Sequence, residues 1–169
     1  MSRGTLNKLM ASADPAMIVV TTVAENEQAG CLVGFHAQSS IAAEHYCLWL
    51  SKANHTYRTG LRATHLAVHF LTESDFSIAE WFGTRTGETA DKFADLDVDT
   101  SEHGLPLLRE CPNRMVVERI AILDDGGDHG CFTTRVLSAT SAEPFTPLRL
   151  SDVSHLEIGR ASESRAVHP

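Results

Sequence analysis

Lys52, Asn54 and Thr56 place a charge, an amide and a hydroxyl close together in the chain. They follow a short apolar run, Tyr46 to Leu50, suited to a buried strand, and they open a helical pattern that reaches about Thr64. A helix that begins where a strand stops presents unpaired backbone N–H groups and the positive end of its dipole, and both favour an anion. The chemistry indicated is phosphate binding. Asn54 as an ordinary N-cap accounts for the same residues, so both readings stand. A second candidate is His129, which follows Gly127 and Asp128 at the start of a returning strand, where it can accept or donate a proton near neutrality. The Asp and Gly residues of its turn are needed for geometry alone. His65 and His69, four apart, would imitate a metal pair on a helix, but their alternating apolar neighbours favour a strand and no third ligand is evident.

Several strands must hold these residues. Pro15 to Val23 is a β-branched run, and Cys31 to Ala37 reads as its antiparallel partner across the polar stretch AENEQAG. Gln38 to Ala42 reads as a polar bridge toward the Tyr46 strand. Gly30 and Gly34 allow close approach, either to a planar ligand or to a neighbouring strand. Leu66 to Leu71 is a fourth strand. Ser74 or Asp75 can cap a helix through Ser77 to Phe82, and a second short helix is expected over Thr89 to Leu96, with Trp81, Phe82 and Phe93 as core anchors. Arg114 to Ile122 and Cys131 to Ala139 form a long hairpin around LDDGGDHG.

The composition bounds what these elements can do. With 169 residues, 43% apolar and 21% charged, the chain reads as a single domain over 1–169, ordered from about 6 to 156, with a polar, frayed tail at 159–169. Fourteen basic against twenty-two acidic residues, a net charge of −8, argue against nucleic acid as the main partner. No run is long and apolar enough for a membrane span, and the first residues lack the apolar core of a secretory signal, so a cytoplasmic location is expected. Cys31, Cys47, Cys111 and Cys131 are scattered without a CxxC pattern, which indicates neither a disulfide framework nor a zinc knuckle.

Short strands, few helices, a strand-to-helix anion site and a hairpin carrying Gly127, Asp128 and His129 together resemble the flavin reductase-like family with the FMN-binding split β-barrel fold. The resemblance covers about Ala16 to Pro147. It implies a mainly β, Greek-key-like barrel with a few helices that forms a homodimer holding FMN at its interface. In the family the segment matching Val33 to Ser40 lines the isoalloxazine; here it supplies Val33, Gly34, Phe35, Ala37, Gln38, Ser39 and Ser40. The stretch matching Lys52, Asn54 and Thr56 holds the phosphate, and His129 inherits the positioning of a reduced nicotinamide.

The implied activity is an NAD(P)H-dependent flavin reductase, with NADH or NADPH giving hydride from the nicotinamide C4 to flavin N5 and a monooxygenase component as a further partner. The alternative is an FMN-binding electron carrier that does not oxidise a nicotinamide. Two departures stand out. Ala42, Ala43 and Glu44 replace the family's Asp-Pro-Pro, and Gly34, Phe35 and His36 replace small hydroxyl residues, so that Phe35 or His36 can crowd, shield or stack on the ring.

Overall fold

Alternating and β-branched runs separated by tight turns dominate the chain, and they pair into one large antiparallel sheet. The computed structural model describes residues 3–85 and 91–156. Helix α1 (Arg3–Ala13) leads into strands β1 (Ile18–Ala24), β2 (Glu27–Val33), β3 (His36–Ser40) and β4 (His45–Ser51). Helix α2 (His55–Arg62), strand β5 (His65–Phe70) and helix α3 (Phe76–Thr84) follow. Then come the short strands β6 (Val98–Thr100) and β7 (Pro106–Leu108), the long pair β8 (Arg114–Leu123) and β9 (His129–Thr140), and the short helix α4 (Leu150–Val153).

Seven strands lie in the order β2-β1-β5-β8-β9-β4-β3, every neighbour antiparallel, while β6 and β7 pair separately. Strands β2 and β4, far apart in that order, approach each other, so the sheet curls into a half-barrel. The fold is the mainly β, split-barrel type expected from the sequence.

Inside the curl pack Ile18, Val20, Val33, Leu48, Leu50, Leu66, Val68, Val117 and Phe132. A second core lies on the other side of β1, where Met17, Val19 and Leu71 meet Ile78, Ala79 and Phe82 of α3 and Val153 of α4. Burial on both faces explains why β1 is a continuous β-branched run rather than an alternating one. Its hairpin with β2 closes through Glu25 and Asn26, at φ 53° and 65° between the paired Ala24 and Glu27. Positive φ at both central residues matches the twist of the two strands. Gly30 in β2 leaves room for aromatic rings rather than for a strand: a Cβ there would lie 2.8 Å from Phe82 and 3.0 Å from Phe93.

His65 and His69 both lie on β5, and His69 is fully buried. Its two ring nitrogens bridge Val19 O at 3.2 Å and Leu108 N at 3.0 Å, tying β7 to the central sheet. Thr21 Oγ1 adds a second tie by donating to Pro106 O at 2.6 Å.

Two local expectations are corrected. Cys31 to Ala37 is not one strand: β2 ends at Val33 and β3 begins at His36, because the first part pairs with β1 and the second with β4 at the opposite end of the sheet order. Gln38 to Ser40 therefore belongs to β3, an edge strand whose polar side chains face solvent, and the bridge to β4 shrinks to the turn 41–44. Of the short helix expected over 89–96, residues 89 and 90 lie outside the described residues, and 91–96 hold a turn over 92–95 rather than a helix. The expected frayed tail at 159–169 also lies outside the described residues.

Candidate functional site

The junction between β4 and α2 is built by local capping. Asn54 takes an extended conformation and its Oδ1 accepts a hydrogen bond from Thr56 N at 3.1 Å, ending the strand and starting the helix. Ser51 supports the same corner: its hydroxyl accepts from Ala53 N at 3.3 Å and its carbonyl from Asn54 N at 2.9 Å. Lys52 N–H donates to Asp128 O at 2.9 Å, which fixes the β8–β9 turn against the corner and brings Ser51 opposite His129 in the β4–β9 register. Gly130, next in β9, is demanded by packing, because a Cβ there would come within 2.6 Å of Tyr57 Cε2.

A cavity of about 370 Å³ opens beside this corner, within the range of small-molecule sites. Met17, Cys31, Leu32, Val33, Trp49 and Phe82 form much of its wall, α4 and Leu156 contribute from the far side, and Ser51, Asn54 and His129 supply polar groups. Trp49 and Ser51 alternate with the buried Leu48 and Leu50, so the face of β4 that turns away from the barrel interior is the one that meets the cavity.

Charges at the corner are already matched. Lys52 Nζ, largely buried, donates to Asp124 Oδ1 at 2.7 Å; this pairing raises the lysine pKa and holds the Asp124 carboxyl below the usual carboxylate range. The hydrogen bond to His129 likewise lowers the Asp128 pKa, with a His129 Nδ1 to Asp128 Oδ1 distance of 2.6 Å. Phe35 packs its ring on His129, centroids 4.8 Å apart and tilted by 54°, and its carbonyl accepts from Trp49 N at 3.0 Å.

Of the residues singled out from sequence, Val33, Asn54 and His129 line the cavity together. Phe35, more than half exposed, joins them through His129. Gly34 lies in the link before β3. Ala37, Gln38 and Ser39 are exposed on β3 and Ser40 is half-buried at its end, all outside the cavity wall. Lys52 is turned to Asp124, and Thr56 is buried in the first turn of α2 with its N–H already capped. His36, another departure from the expected pattern, is aimed away: its ring nitrogens meet Tyr46 OH and Ala16 O, each at 2.7 Å.

Sequence reasoning missed Met17, Leu32, Trp49, Ser51 and the α4 wall. Period-two alternation through Leu48 and Leu50 was the available signal for Trp49 and Ser51. The others come from distant segments that no local pattern connects.

With this geometry in place, the sequence matches the family model described as flavin reductase like domain over residues 10–152. Solved structures share the fold. An NADH:FAD oxidoreductase from Streptomyces globisporus is similar with TM-score 0.74 and 21% identity, over 88% of this chain and 85% of that one. Nitrilotriacetate monooxygenase component B from Mycobacterium thermoresistibile gives TM-score 0.75 and 20% identity, over 87% and 80%. An FMN-binding protein from Thermus thermophilus gives 0.69 and 20%, over 74% and 69%. The chain spans only 51% of a longer matching chain from Sinorhizobium meliloti.

Proposed function

The chain belongs to the flavin reductase-like family, and on that premise we propose that it binds FMN in the cavity beside the β4–α2 corner and acts as an NAD(P)H-dependent flavin reductase. The observation that carries this reading is the lining of that cavity: an apolar wall from Cys31, Leu32, Val33, Trp49 and Phe82 that ends in Ser51, Asn54 and His129. Such a wall suits a planar heteroaromatic ring, and Ser51 and Asn54 at the corner suit its phosphate-bearing arm. When bound, the flavin supplies the hydride-accepting centre.

The chain's own residues bind and orient. Asn54 and the start of α2 receive the phosphate through the amide and the helix dipole. Lys52 carries the compensating charge, which it shares with Asp124. The apolar wall excludes water from the ring, and His129 orients the nicotinamide at the cavity margin. Expected partners are a second copy of the chain and a monooxygenase component that consumes the reduced flavin. The similarity to nitrilotriacetate monooxygenase component B supports the latter.

One observation favours the alternative of an electron carrier that does not use a nicotinamide: Phe35 covers one side of His129. Kinetics separate the two readings. Purified protein should oxidise NADH or NADPH faster as FMN is added, with saturation in FMN; a rate independent of FMN with both nucleotides removes the reductase reading.

A further inference from the structure

We propose that Asp128 is a positioning residue that holds the His129 imidazole in its Nδ1–H tautomer, so that Nε2 meets the cavity ligand as a hydrogen-bond acceptor and selects a carboxamide N–H. This rests on the reading of the cavity as a flavin and nicotinamide site. An ionised carboxylate can only accept hydrogen bonds, so the 2.6 Å contact between His129 Nδ1 and Asp128 Oδ1 places the ring proton on Nδ1. In the neutral ring Nε2 is then left with its lone pair. Among the described residues no protein group hydrogen-bonds Nε2, while His129 lines the cavity.

The surroundings of the pair fix the backbone that carries both side chains and cover one face of the ring. Phe35 packs against it, the Lys52 N–H to Asp128 O bond anchors the preceding residue, and Ser51 pairs with His129 across the strands. In the Nδ1–H tautomer the Nε2 acceptor complements the amide hydrogens of a nicotinamide carboxamide and disfavours a ligand that offers only an oxygen there. Asp128 is itself well exposed, its side chain 58% accessible, so it can be replaced without opening a hole in the core.

The test replaces Asp128 by Ala and, separately, by Glu, and reads the ¹⁵N chemical shifts of the His129 ring near neutral pH alongside steady-state kinetics. Asp128→Ala should move the ring toward the Nε2–H form that an unpartnered imidazole prefers in water. It should also lower kcat/KM for the nicotinamide about tenfold, the worth of one hydrogen bond, with FMN affinity unchanged. Asp128→Glu, which keeps an acceptor within reach of Nδ1, should restore much of both. An unchanged ring tautomer in Asp128→Ala overturns the proposal, as does an altered tautomer with unchanged kcat/KM. If the unmodified protein oxidises neither nucleotide, that failure belongs to the reading of the cavity, and the ring spectrum alone still decides for or against Asp128.

Discussion

Acid should destabilise this protein through one side chain more than any other, the buried His69. Its ring donates from Nδ1 to Val19 O at 3.2 Å and accepts at Nε2 from Leu108 N at 3.0 Å. Protonation would put a second N–H against the Leu108 N–H inside a fully buried site, with Arg114 adding repulsion. Burial accordingly pushes the pKa down from 6.5 to about 4. In the unfolded chain the residue takes up a proton as pH falls through about 6.5, whereas the folded chain resists until about 4. The unfolded state therefore binds more protons across that window, and stability falls as pH falls.

The gap between 6.5 and about 4, at about 1.4 kcal/mol per pH unit, is worth about 3–4 kcal/mol in full, of which about 3 kcal/mol is lost between about pH 7 and about pH 4. Against a total stability on the order of 5–15 kcal/mol, that is a large share. His69→Gln offers a non-titrating amide that can donate to Val19 O and accept from Leu108 N. Urea unfolding of both proteins at about pH 7 and about pH 4 isolates the contribution, since the carboxylates titrate alike in the two. The histidine protein should lose about 3 kcal/mol more than the variant over this interval. Parallel losses would refute the assignment of acid sensitivity to His69.

Further outcomes are expected at the β4–α2 corner. Gly130→Ala forces a Cβ against Tyr57 and should lower stability by about 1–3 kcal/mol, read as a drop in Tm. Tyr57→Ala in the same chain should relieve the clash and recover part of that loss. Lys52→Ala combined with Asn54→Ala should weaken FMN binding about tenfold or more in a fluorescence titration, and Asn54→Ala alone should cost about 1 kcal/mol of stability through the lost helix cap. Unchanged FMN affinity in the double variant would put the phosphate elsewhere.

Local chemistry made the β4–α2 corner legible in the sequence: an apolar run, then Asn54, then a helical pattern is a capped helix start in any context. The long β8–β9 hairpin was readable because it closes over a short loop rich in Asp and Gly; the β1–β2 hairpin was readable as a pairing, but its turn is only Glu25 and Asn26, and Glu27 to Gly30 of the stretch expected as a turn belong to β2. The break at Gly34 and Phe35 was not readable. Apolar and polar residues continue across it, and β2 separates from β3 only because their partners sit at opposite ends of the sheet order, a non-local fact. His129 was visible as a candidate, but its contacts with Asp128 and Phe35 were not, since Phe35 reaches it across strand pairings. The cavity wall was the least legible part. Met17, Phe82 and Leu150 converge on it from separate segments, and in sequence each looks like any other core residue.

The central claim is that the cavity holds a flavin reducible by a nicotinamide, and the visible spectrum of the protein tests it most directly. Protein mixed with FMN and freed of excess ligand should remain yellow, and anaerobic addition of NADH or NADPH should bleach that absorbance. A colourless protein whose melting temperature FMN does not raise would contradict the claim, since a ligand bound only to the native state must stabilise it. A yellow protein that neither nucleotide bleaches would contradict the nicotinamide half of it.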